Sequence, residues 1–214
     1  MLQFTIRDIL VLFVLVPLTI GIAKYKTTDY LGRLFIFFLL VGLTTDLTMG
    51  ILLHSNKTRH LMRIFNTYSL IESFFFLWFI MQTALSRSIY LVSRFCLITV
   101  VLLWICYMFI FPNIDFLKSS LIVSFDATYE IVVSFLAGYA LLLRVEKDQF
   151  IFSEPRFWFT LGIFFYCFCT FYIMTFLETN LLQKIWFVIN IINIISYVFY
   201  SVGFWNISRS QKAL

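Results

Sequence analysis

IWFVINIINIISYVFYSVGFWNIS, residues 185–208, runs for 24 positions without a charged side chain. A helix rises about 1.5 Å per residue, and about 20 apolar residues cross the hydrocarbon core of a bilayer. The stretch is therefore long enough to span one. Two more charge-free runs lie upstream: Phe95 to Ile114 is 20 residues and Phe157 to Leu177 is 21. Of the 214 residues, 62% are hydrophobic, 21% aromatic and 13% charged, about half the charged share of a soluble domain. This composition excludes a soluble globular domain and points to a membrane.

Working outward, the pattern predicts seven apolar segments, 9–23, 31–53, 62–85, 90–111, 121–143, 157–177 and 185–205. They are solid rather than alternating over about ten residues, so they read as helices and not as barrel strands. The expected fold is an all-α integral membrane protein, a single seven-helix transmembrane domain over residues 1–214. The first segment has no A-x-A-like cleavage site and is followed at once by further spans, so it is expected to remain as a membrane helix rather than be cleaved as a signal peptide. Pro17 is expected to kink the first span and Pro155 to start the sixth. Trp158, Trp186 and Trp205 fall near span ends, where headgroup-level anchoring is the expected role.

Basic residues set the orientation. Arg7, Lys57, Arg59, Arg63, Lys118 and Lys184 fall on the side of the N-terminus; Lys24, Lys26, Arg33, Arg87, Arg94, Arg144, Lys147, Arg156, Arg209 and Lys212 fall on the other. Six against ten places the N-terminus outside and the C-terminus in the cytoplasm, in a cell inner membrane. The formal charge of +5 is scattered through short loops beside spans, so nucleic acid is not an expected partner.

Polar residues within the spans carry the functional signal: Asp46 in the second, Asn66, Ser69 and Glu72 in the third, Asp126 and Glu130 in the fifth, Asn190 and Asn193 in the seventh. An ionisable group at this depth costs roughly 2.5 to 3.5 kcal/mol, so it faces protein or a water-filled cavity. Gly42, Asp46 and Gly50 repeat every four residues, which predicts a small-residue face that another helix approaches. Asp126, Glu130, Ser134 and Gly138 do the same on span five. Measured from His54, Arg63, Lys118 and Lys184, the residues Asp46, Glu72, Asp126 and Asn193 lie about 12 to 14 Å deep and Glu130 about 18 Å deep. The eight polar residues are thus expected to share one layer and to line a ligand or cation pocket. Four ionised carboxylates cannot share a low-dielectric site, and no Lys or Arg lies within these spans, so protons, a metal ion or a cationic ligand must balance them. No cofactor is implied beyond such a cation. The plainer reading, in which the amides and hydroxyls are interhelical glue, stays open beside it.

Cys96, Cys106, Cys167 and Cys169 all lie in apolar runs without C-x-x-C spacing and read as small buried hydrophobes. His54 and His60 bracket the short segment HSNKTRH, read as a solvated loop. Retinal binding fails for want of a lysine in the last span, and zinc hydrolysis for want of His or Cys ligands at metal spacing. No H-E-x-x-H, G-x-S-x-G or phosphate-binding glycine loop occurs.

The segments NTYSLIESFFFLWF (66–79), EPRFWFTLGIFFY (154–166) and WFVINIINIISYVFYSVGF (186–204) together resemble a group of small bacterial seven-helix membrane proteins similar to the membrane sensory domains of some histidine kinases. That resemblance covers spans three, six and seven. It implies signal reception, with Tyr68, Glu72, Trp158, Tyr166, Asn190 and Asn193 in the shared pattern. The sequence ends at Leu214, so no kinase or other output domain is expected and a membrane or signalling partner protein, or a homo-oligomer, would carry the signal. The expected function is therefore a sensor-like or ligand-binding protein. Two alternatives remain: a small proton- or cation-coupled transporter or channel, and an accessory subunit of a larger membrane complex in envelope biogenesis or antiviral defence. An intramembrane lipid enzyme is the weakest reading, because no nucleophile constellation is present.

Overall fold

The computed structural model describes residues 12–54, 58–110, 120–147, 151–175 and 182–210. Among these residues all regular structure is helical, in seven α-helices: α1 Leu15–Ala23, α2 Tyr30–His54, α3 Thr58–Gln82, α4 Arg87–Ile110, α5 Ser120–Lys147, α6 Pro155–Thr175 and α7 Leu182–Ser210. Six of them, α2 to α7, are long and apolar enough to cross a membrane, as a multi-pass membrane protein requires. Of the first predicted segment, 9–23, the described part is an apolar helical stretch over Leu12–Ala23; residues 9–11 lie outside the described region.

Local chemistry sets the helix starts. Asp29 caps α2 by accepting the Gly32 N–H on Oδ1 at 2.9 Å, and Ser86 Oγ accepts the Ser88 N–H at the start of α4. Pro155 opens α6, where its missing N–H costs nothing. Pro17 lies where the helical turn type changes. It is the third residue of α1, behind the 3-10 turn Leu12–Val14, and lies within the first turn that proline tolerates. The segment read as the loop HSNKTRH is shorter than expected: His54 ends α2 and α3 begins at Thr58, with residues 55–57 outside the described region.

Packing closes six helices into a ring in the order α1, α2, α3, α5, α6, α7, with α7 returning to α1. The remaining helix, α4, packs outside the ring against α3, with slight contact to α5, and its outward face of Leu91, Phe95, Ile98 and Leu102 is exposed as a lipid-facing surface would be. Across the ring, α2 and α3 face α6 and α7 through large side chains rather than at close backbone range. One half of the interior is filled by aromatic rings. Phe35 of α2 sits stacked on Phe159 of α6 at 4.6 Å between centroids, with Tyr200 and Phe79 at 4.8 and 5.4 Å.

Glycines let α6 and α7 close on each other. A Cβ at Gly162 would stand 2.3 Å from a Tyr200 ring carbon, and one at Gly203 would stand 2.8 Å from the Phe159 ring. Gly162→Ala should cost about 1 to 3 kcal/mol, because Tyr200 is buried and has no room to withdraw. Gly50→Ala should cost a few tenths at most, since nothing lies within 4 Å of that position. Unfolding of both variants in detergent checks the pair. Gly50 also corrects the expected small-residue face of span two: among the described residues nothing comes within 4 Å there, whereas at Gly42 α3 approaches through the Tyr68 hydroxyl.

The end of the bundle that holds the α1–α2 and α5–α6 connections is stitched by polar bonds. Arg144, in the last turn of α5, is buried, pairs with Glu154 and donates to the Thr83 carbonyl at 2.6 Å. Read from the sequence as a loop charge that sets orientation, Arg144 is instead an internal tie between α3, α5 and the start of α6. Arg156 pairs with Asp29 at 3.2 Å, and the Phe152 carbonyl accepts from both Trp158 Nε1 and Asn206 Nδ2. Lys24 Nζ donates to the Trp205 carbonyl at 2.6 Å and lies over the Trp205 ring. A cleft of about 250 Å³ opens here beside Asp29, Gly32 and Phe79, with its acids already engaged as a cap and in the two ion pairs.

Candidate functional site: an acid and tyrosine layer

Helical spacing on α5 puts Asp126, Tyr129, Glu130 and Ser134 on one stripe, and all four are buried. The stripe faces α3 and α6. Ser69 Oγ donates to Asp126 Oδ1 at 2.7 Å, and Tyr129 OH donates to Glu72 Oε2 at 2.7 Å. Both pairs are 57 residues apart in the chain, as two parallel helices in register require. The Tyr166 hydroxyl of α6 stands 3.5 Å from the same Glu72 oxygen, so three helices meet at one carboxylate. The third acid, Glu130, is 2% exposed, has the Thr170 hydroxyl beside it, and carries an Oε2 with no hydrogen-bond partner among the described residues.

Of the eight predicted site residues, four form this layer: Ser69, Glu72, Asp126 and Glu130. Asp46, half-buried on α2, is close enough to Glu72, Tyr68 and Tyr197 for its charge to act on them. Asn66 lies one turn from Ser69, and both polar atoms of its amide are buried without a partner among the described residues. Asn190 and Asn193 are half-buried on α7, and among the described residues neither bonds to the acids. The hydrogen bonds among the described residues thus join four of the eight. Each of Glu72 and Asp126 has its own hydroxyl donor, and no three His, Cys, Asp or Glu side chains among the described residues come together as a metal site.

The spacing argument passed over Tyr129 and Thr170. Tyr129 was within reach of it, three residues after Asp126 and beside Glu130, but a tyrosine in a run this aromatic gives no polar signal. Thr170 lies in span six, where no acid marked a stripe. Chemically, the layer holds hydroxyl donors on carboxyl oxygens within a ring that has no basic side chain among its described members at that level. Such a layer can hold or exchange protons and can bind positive charge. Cys167 is buried beside Glu130 and Glu72, and Cys96 and Cys169 are half-buried; all three are free thiols. The side chains of Cys106, His54, His60 and Trp186 lie outside the described region. No protein family, curated protein or solved structure matches the chain.

Proposed function

We propose that the chain is a seven-span inner-membrane protein, N-terminus outside and C-terminus cytoplasmic, that senses a cation or cationic ligand in the Glu72, Asp126 and Glu130 layer and passes a helix shift to a partner protein. The observation that carries the reading is the meeting of α3, α5 and α6 at Glu72 through the Tyr129 and Tyr166 hydroxyls. Neutralising that carboxylate changes what the two hydroxyls bind, and so changes how three ring helices sit against one another. A ligand biases such an arrangement only by its differential affinity for two states, and charge balance at a buried acid supplies one. The same helices carry the stitched end, where α3 and α5 meet Arg144.

Isosteric neutralisation tests the reading. The double variant Glu72→Gln with Asp126→Asn mimics an occupied layer, and it should alter hydrogen exchange in the 24–29 turn and in residues 151–154, both remote from the substitutions. Unchanged exchange there would sink the sensor reading. The unpartnered Glu130 oxygen favours a second reading, a proton- or cation-coupled transporter. Flux into proteoliposomes under a pH or sodium gradient, lost in Glu130→Gln, is the outcome that would select it.

A further inference from the structure

Each acid of the layer has a hydroxyl beside it, but the hydroxyl protons are not spent alike. Glu72 accepts from Tyr129 at 2.7 Å, with the Tyr166 hydroxyl at 3.5 Å, and Asp126 accepts from Ser69 at 2.7 Å. Beside Glu130 stands Thr170 of α6, and Thr170 donates to the Tyr166 carbonyl at 2.7 Å. Ser134, one turn along α5, donates to the Ile131 carbonyl at 2.8 Å. A hydroxyl has one proton to give and lone pairs to spare, so Thr170 meets Glu130 as an acceptor. A carboxylate has no proton with which to use it. Glu130 is 2% exposed, and its Oε2 is buried without a partner among the described residues.

Nor does a basic side chain face it. Glu72 lies towards it from α3, Tyr166 and Cys167 from α6, and Asp126 and Tyr129 on its own helix. On α4, Arg87 and Arg94 are exposed and Cys96 is half-buried. No Lys or Arg occurs in residues 64–86, 121–143 or 157–175. An ionised Glu130 would be a third negative charge beside Glu72 and Asp126, with neither a counter-ion nor a hydroxyl proton to hold it. A buried carboxyl so placed takes up a proton instead of staying charged.

We propose that the cation taken by the layer is the proton, that Glu130 carries it, and that Thr170 Oγ1 is the acceptor that holds it in place. The assignment rests on the sensing role proposed above and names its ligand. A metal ion needs three or more ligands turned to one point, and no such group of His, Cys, Asp or Glu comes together among the described residues. When the proton leaves, the Glu130 O–H bond breaks, the electron pair stays on the carboxylate and the proton passes to water. The new carboxylate draws on the Thr170 and Ser134 hydroxyls, which turn to it from the Tyr166 and Ile131 carbonyls. Tyr166 is also the residue whose hydroxyl reaches Glu72, so the change at Glu130 is passed to the meeting of α3, α5 and α6.

Infrared spectroscopy of the full chain in detergent tests this. The wild type should show a carboxylic-acid carbonyl band at neutral pH that is lost reversibly at alkaline pH and is missing from Glu130→Gln. Thr170→Val removes the acceptor and should move that band to higher frequency without abolishing it. Sodium chloride at fixed pH should leave it unchanged. The proposal is overturned by a wild type without the band at neutral pH, by identical bands in wild type and Glu130→Gln, by an unmoved band in Thr170→Val, or by loss of the band on adding sodium. The pH and sodium titrations use unaltered protein, and Thr170→Val keeps every acid, so the matter is decided even where Glu130→Gln fails to fold. Each of these failures leaves the sensing role standing if hydrogen exchange at the stitched end still follows neutralisation of Glu72 and Asp126.

Discussion

Arg144→Leu is expected to destabilise the bundle by about 3 kcal/mol, the lower end of the range for removing one partner of a buried ion pair. Two groups lose their partner at once, and a tie between helices goes with them. The Glu154 carboxylate, 29% exposed, keeps some access to water, which holds the cost to the lower end. The Thr83 carbonyl, close behind the end of α3, loses its donor from the guanidinium. Such a carbonyl has no acceptor role left within its own helix end, and a buried polar group without a partner costs about 1 to 3 kcal/mol. The third loss is positional: α5 is no longer tied to the start of α6. Glu154→Gln should cost less, about 1 kcal/mol, because its amide oxygen still accepts from Arg144. Reversible unfolding in mixed micelles measures both. Arg144→Leu combined with Glu154→Leu should recover much of the loss if the penalty lies in the stranded charge; full additivity of the two would instead show that the pair does not interact.

That tie shows where sequence reasoning stopped. Charge-free runs reveal helices because the bilayer admits few other structures, and so the described parts of these runs, 185–208, 157–175 and 95–110, could be read directly. The acids of span five were legible for a related reason: Asp126 and Glu130 are costly in lipid, their spacing fixes a face, and that face meets α3 through Ser69 and Glu72. Arg144 gave the opposite impression. It stands where a span meets a loop, and at such a position the pattern of charges cannot separate a headgroup-facing arginine from one turned inward to a glutamate ten residues on. The shared polar layer was foreseen from depth along each helix, but depth carries no information about azimuth. Asp46, Asn190 and Asn193 therefore read as equal members of a single centre, while the hydrogen bonds single out α3, α5 and α6.

Phe35→Ala should cost about 3 kcal/mol, while Phe37→Ala, two residues along the same helix, should cost next to nothing. The two side chains are chemically identical and differ in what surrounds them. Phe35 is 0% exposed and meets rings from α3, α6 and α7, among them Phe79, Phe159, Tyr200 and Phe204. Phe37 is 63% exposed. In water the burial of a phenylalanine would add a large transfer contribution, but lipid tails are as apolar as the core, so transfer between them is close to neutral. What remains is packing: a void at Phe35 removes contacts from four helices that meet there through side chains and not through backbone, with no backbone near enough to collapse into it. The expected cost accordingly sits below the top of the range for phenylalanine truncation in soluble cores. Unfolding of the two variants in the same mixed micelles gives the comparison. Equal, small losses would mean that α2 and α3 are not held to α6 and α7 through this ring cluster.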